Sequence, residues 1–129
     1  MKPTDTPPLI FRVDIPKRFG KLHIRVHIFD RRDHMLKAIQ RSYESPHEGE
    51  TAATIVESSP VRGLIASMFL TYRCARPGVI AHEGLHAAWA CARNLWGIGP
   101  DDAVEEKVAQ MTEHFTDRIW TRMHESRLA

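Results

Sequence analysis

The stretch "VIAHEGLHAAWACA", Val79 to Ala92, constrains this chain more than any other. Pro77 and Gly78 stand before it and Gly97 after it, as start and stop signals of one helix. Glu83 is its only formally charged residue, set between His82 and His86 in a run of Ala, Leu, Trp, Val and Ile. A charge taken out of water costs several kcal/mol unless it is paired or bound to a metal. The helix therefore has to give this carboxylate and its two imidazoles something to do.

His82-Glu83-Gly84-Leu85-His86 reads HExxH. On a helix, positions i and i+4 lie about 40° apart around the axis, so both imidazoles can reach one ion. Glu83 falls on the flank of that face and can touch a water on the ion rather than the ion itself. A hydrolytic zinc site needs that division of labour. Two neutral imidazoles and a third protein ligand hold Zn²⁺, and the fourth position keeps a water. The ion lowers the water's pKa towards about 7, and Glu83 acts as general base. The bland alternative is a buried histidine pair satisfied by backbone, with Glu83 at the surface. A di-iron reading of Glu83-x-x-His86 needs a second ExxH on a facing helix. The other ExxH, Glu44 to His47, contains Pro46, which argues against a helix there.

The rest of the chain supplies elements around this helix. Pro3, Pro7, Pro8 and Pro16 make residues 1–20 an extended arm rather than a regular element. "KLHIRVHIF" alternates with period two, a half-buried strand with His23 and His27 on its polar, solvent-facing side. Asp33 can cap a helix that buries Met35, Leu36, Ile39 and Tyr43. Residues 45–51 read as a loop. Residues 53–57 read as a short strand stopped by Ser58, Ser59 and Pro60. "GLIASMFLTY" reads as a mostly buried strand, with helix left open by its imperfect alternation. After the turn "GIGP", a last helix runs from about Asp102 to about His124, with Val104, Val108, Met111, Phe115 and Ile119 as its apolar stripe.

At 129 residues, 43% hydrophobic and 26% charged, the chain has the size and make-up of one soluble α+β domain over residues 21–129. A net charge of +2 is too small to imply nucleic acid. Arg31, Arg32, Lys37 and Arg41 cluster without an aromatic platform, as a solvated helix face does. No apolar run approaches the roughly 20 residues that span a bilayer. "MKPTDTPPLIF" lacks the apolar core of a signal peptide, and Cys74 and Cys91 form no CxxC. A cytoplasmic protein with free thiols is the expectation.

The third zinc ligand must come from another element, and "DDAVEEKVAQMTEHF" can fold back antiparallel to offer one. Asp102 and Glu105 have capping-box spacing, which gives Glu105 a local task and leaves Glu106 free. Glu106 also points away from the apolar stripe, so it is the first choice. Glu105, Asp101, Glu113 and His114 remain as alternatives.

These features resemble a minimal zincin-type metallopeptidase of the small bacterial and phage kind, with gluzincin-like ligation. The resemblance rests on "VIAHEGLHAAW", on Glu106-x-x-Ala109 as the ExxA around the family's ligand glutamate, and on the order strand, helix, strand, strand, HExxH helix, ligand helix. It spans roughly residues 21–124. It implies a short mixed sheet, one Zn²⁺ per chain on His82, His86 and Glu106, and Glu83 as the catalytic base on a protein or peptide substrate. Gln110 stands where relatives often carry Asp or Asn supporting a ligand histidine. The family's peptide-docking edge strand would be about Leu64–Thr71, pairing with substrate by strand addition. His114, Tyr72, Arg73 and Arg93 are candidates for stabilising the oxyanion. The rival class is a zinc-stabilised module of the same shape that binds a partner protein without catalysis.

Overall fold

A computed structural model describes residues 7–43, 52–97 and 102–128. In chain order they form β1 (Leu9–Asp14), β2 (His23–Phe29), α1 (Arg32–Tyr43), β3 (Ala53–Val61), β4 (Leu64–Thr71), α2 (Pro77–Trp96) and α3 (Asp102–Leu128). The fold is α+β, with a four-stranded mixed sheet in the order β1-β2-β4-β3. β2 and β4 run parallel, and the outer pairs are antiparallel. The order read from the sequence holds, with one strand added in front.

That added strand corrects the reading of the N-terminal arm. Pro7 and Pro8 precede β1 and Pro16 follows it, so the six residues of the strand keep every backbone N–H that a strand needs. Leu9 to Asp14 pair in register with Ile28 to His23. Residues 1–6 lie outside the described residues, as do residues 44–51, with Glu44 and His47, and residues 98–101.

The sheet is covered on both faces, and alternate residues sort between them. Ile24, Val26 and Ile28 of β2 and Met68 and Leu70 of β4 join Ile80, Ala87, Cys91, Met111, Phe115 and Ile119 beneath α2 and α3. Phe29 and Phe69 turn the other way and join Met35 and Ile39 of α1. Each Val, Leu, Ile, Met or Phe among them contributes about 1.5–3 kcal/mol by leaving water. The stripe expected on the last helix is this core: Val108, Met111, Phe115 and Ile119 are buried, and Val104 packs against them.

Two faces of cover also explain a second correction. His23 and His27 are not solvent-facing. His23 is buried and His27 is half-buried, its ring stacked on Phe69 at 4.6 Å. α1 covers the Phe29 and Phe69 end of that side, while Arg25 between the two histidines stays exposed. Burial lowers the pKa of both imidazoles, with Arg25 adding to the effect and Arg12 acting on His23; His27 falls to about 4.

Smaller departures have local causes. Asp33 lies inside the first turn of α1, not before it, and Arg31 holds its carboxylate through two hydrogen bonds of 3.0 and 2.8 Å. Met35 and Ile39 are buried as expected and Leu36 is half-buried, while the Tyr43 side chain lies outside the described residues. β3 runs through Ser58, Ser59 and Pro60 to Val61, with an irregularity in its pairing after Val56 that accommodates them. Arg62 (φ 55°) and Gly63 (φ 84°) then make the two-residue turn into β4. Positive φ at both central residues suits the twist of a hairpin. A Cβ on Gly63 would stand 2.8 Å from the Lys21 carbonyl oxygen, so the turn also needs glycine for space.

Candidate functional site

α2 begins with Pro77 at its first turn and ends at Gly97, whose N–H donates to the Arg93 carbonyl at 3.1 Å. Both signals act as the sequence implies. The helix buries Ile80, Gly84, Ala87, Ala88 and Cys91 on one side. Gly84 is where α3 comes close: a Cβ there would meet Thr116, Phe115 and Thr112 at 3.6 to 3.7 Å. At roughly 100° per residue, His82 and His86 lie on the opposite side of the helix from Gly84. Both histidines are exposed.

His82 and His86 meet as the spacing requires. Their rings are 4.9 Å apart between centroids and nearly perpendicular, and their Nε2 atoms are 3.3 Å apart. Two nitrogens at about 2.0–2.1 Å from a tetrahedral zinc stand about 3.3–3.4 Å from each other. The pair therefore fits two corners of a zinc site. A neutral pair sharing one hydrogen has the same separation, one ring donating and the other accepting.

Glu83 is the inward member of the motif. The His82 side chain is 68% exposed and that of Glu83 10%. Thr54 of β3 donates its hydroxyl hydrogen to Glu83 Oε1 at 2.8 Å, and its Oγ1 also lies 3.2 Å from the Glu83 carbonyl oxygen. Glu83 Oε2 faces the other way, 3.9 Å from His82 Nε2. The sequence located the motif but not Thr54, because a strand-to-helix contact spanning 29 residues leaves no local pattern.

Glu106 does not stand with the pair. It is exposed on the outward side of α3 and accepts a long hydrogen bond from Gln110 at 3.4 Å, while Gln110 accepts one from Arg18 at 3.0 Å. Among the described residues no group of three or more His, Cys, Asp or Glu side chains is placed to hold a metal ion. Glu105 and Glu113 are exposed on α3, with Glu105 in its first turn beside Asp102. Asp101 lies outside the described residues. His114 Nε2 is 2.7 Å from the Asp14 carbonyl oxygen, which ties it to β1.

The other expected positions scatter. Tyr72 OH is 3.2 Å from Ser126 Oγ, and Arg73 and Arg93 are exposed. Leu64–Thr71 is not an edge strand: β4 is flanked by β2 and β3, since the parallel crossover from β2 places it inside the sheet. The edge next to the motif helix is β3, the strand that carries Thr54. A groove of about 750 Å³ lies at the opposite edge, lined by Phe11, Asp14, His114, Arg118 and Arg122 among others, and no residue of the HExxH motif lines it.

Arg31, Arg32, Lys37 and Arg41 are all exposed, the solvated face expected of them. Cys74 and Cys91 are free, and burial pushes the Cys91 thiol up to about 12. No helix of the described residues is long and apolar enough to cross a membrane. Compared with family models, curated proteins and solved structures, the chain matches none of them.

Proposed function

We propose that the chain is a zinc-dependent peptidase, with His82 and His86 as metal ligands, Glu83 as general base and Glu106 as the third ligand. The observation that carries this reading is the 3.3 Å separation of the two Nε2 atoms with Glu83 Oε2 beside them. Glu106 enters on the ExxA pattern of its helix alone, so it is the first part of the proposal to test. Zinc, when bound, would supply Lewis-acid polarisation of a peptide carbonyl and an acidified water. The chain's own residues do the rest. The imidazoles, exposed on α2, bind. Glu83 takes up a proton at Oε2 and returns it to the leaving amine, while Thr54 keeps Oε1 engaged.

A second reading has an observation of its own. Glu83 is buried and tied to Thr54, which is also what a purely structural link between helix and strand looks like. In that case the fold is a zinc-stabilised module that binds a partner protein.

Zinc titration against a chromophoric chelator, followed by peptide-cleavage assays, separates the readings. Wild type should bind one zinc per chain and cleave an unstructured protein substrate. Glu83→Gln should keep the zinc and lose roughly 10²–10⁴-fold in turnover, the usual worth of acid–base catalysis. Glu106→Ala should release zinc far more readily than Glu105→Ala. Zinc binding without cleavage supports the module, and a protein that takes up no zinc overturns both.

A further inference from the structure

We propose that Thr54 is the positioning residue of the site, fixing the orientation of the Glu83 carboxylate so that one of its oxygens faces the histidine pair. The inference rests on the reading of Glu83 as proton acceptor and adds the strand that orients it. A helix sets the direction of a glutamate's Cβ but leaves its outer torsions free to rotate. Here the two carboxylate oxygens are made different by what surrounds them. Oε1 accepts the Thr54 hydroxyl hydrogen at 2.8 Å, and Oε2 is left 3.9 Å from His82 Nε2.

The donor is itself held in place. Thr54 is β-branched, so its χ1 is stiff, and its backbone stands in register with Met68 in the β3–β4 ladder. Its oxygen also lies 3.2 Å from the Glu83 carbonyl oxygen, so one hydroxyl meets the main chain and the side chain of the same residue. Swinging the carboxylate away from β3 would break the shorter contact. Because β3 is the sheet edge beside α2, the strand open to an incoming chain is also the strand that orients the base.

A purely structural role for Thr54 predicts something else. The hydroxyl would then only satisfy a buried carboxylate, and its loss would lower stability without moving turnover relative to binding. Thr54→Val keeps the shape and removes the donor, whereas Thr54→Ser keeps the donor. Thr54→Ala serves if the valine variant does not fold.

The test uses the full chain, labelled with ¹³C and ¹⁵N, and reads the Glu83 side-chain couplings by NMR together with zinc affinity. Wild type and Thr54→Ser should show one Glu83 rotamer, and Thr54→Val an average of several. Zinc affinity should change less than about threefold in both, because a group touching neither imidazole leaves the ligands in place. On any peptide that wild type cleaves, Thr54→Val should lower kcat roughly 10- to 100-fold with KM within about twofold, as misplacing a catalytic group does. Thr54→Ser should restore most of that loss. A single unchanged Glu83 rotamer in Thr54→Val overturns the proposal, and so does a loss of kcat that serine does not rescue. Wild type that takes up no zinc defeats the peptidase reading instead, and the rotamer measurement still decides whether Thr54 holds Glu83.

Discussion

His23 and His27 stand four residues apart on β2, and His82 and His86 stand four apart on α2. The spacing is the same and the chemistry is not. Four residues of strand cover about 13 Å, so the first two imidazoles cannot share an ion. Four residues of helix bring the second two to 3.3 Å between Nε2 atoms. Burial runs the other way as well. The β2 histidines sit under cover, with the pKa of His27 lowered to about 4, while the α2 histidines face water on the side of the helix opposite Gly84. A histidine pair becomes a candidate metal clamp through its backbone, and is available to a metal through its exposure.

The largest effect should come from breaking the helical pair. His82→Ala or His86→Ala is expected to weaken zinc binding by more than the 10–100-fold that loss of a mere supporting hydrogen bond costs. His27→Ala should leave zinc affinity within about twofold and lower stability instead, since it removes the stack on Phe69. Chelator competition on the three variants reads the difference. If His27→Ala releases zinc as readily as His82→Ala, the contrast between the two pairs is wrong.

The next effect belongs to the covered pair and is a pH dependence. His27 resists protonation when folded, with its pKa lowered from 6.5 to about 4, chiefly by burial and then by Arg25. Between those values the unfolded chain binds a proton that the folded chain refuses. Stability is therefore fully present above about pH 6.5, falls as the pH drops towards about 4, and levels off below. His27 is only partly shielded from water, so the loss is discounted to about 1–2 kcal/mol. Melting temperatures of wild type and His27→Phe at pH 7 and pH 4.5 check it. Phenylalanine keeps an aromatic ring against Phe69 and cannot titrate, so its curve should drop less across that interval. Equal drops in both proteins would place the acid sensitivity elsewhere.

The two pairs also show where sequence reasoning works. The α2 site was legible because a helix motif is local: period, proline start and glycine stop all lie within Pro77 to Gly97. The α3 core was legible for the same reason, through the stripe from Val104 to Ile119. Sheet order is not local. Nothing in "KLHIRVHIF" reveals that Phe69 of β4 stacks on His27 or that β1 pairs beside the strand, so His23 and His27 read as solvent-facing. β4 read as an edge because its place between β2 and β3 depends on a parallel crossover. The partner of Glu83 escaped for the same reason: Thr54 is a neighbour in space only. The position of Glu106 depends on how α3 is turned against α2, which its own spacing does not state.

The smallest effect tests whether the two sides of α2 act independently. Gly84 stands against α3, across the helix from His82 and His86. A glycine inside a helix costs roughly 0.5–1 kcal/mol relative to alanine, because it gives up more backbone freedom on folding. It is worth keeping only where a Cβ would collide. Here a Cβ would meet Thr116 Oγ1, Phe115 Cβ and the Thr112 carbonyl oxygen at 3.6, 3.7 and 3.7 Å, which is ordinary contact. Gly84→Ala should therefore stabilise the fold by about 0.5 kcal/mol or slightly more, raising the melting temperature by about 2 °C in a chain of this size. Zinc affinity should not change, because a Cβ in ordinary contact leaves α3, and Glu106 with it, in place. A bulkier Gly84→Leu should do the opposite to stability, since a side chain of that size must push α3 away. If Gly84→Leu lowers stability and leaves zinc affinity unchanged, α3 takes no part in the metal site and the assignment of Glu106 falls. The two sides of α2 then act independently, and the third ligand lies on another element.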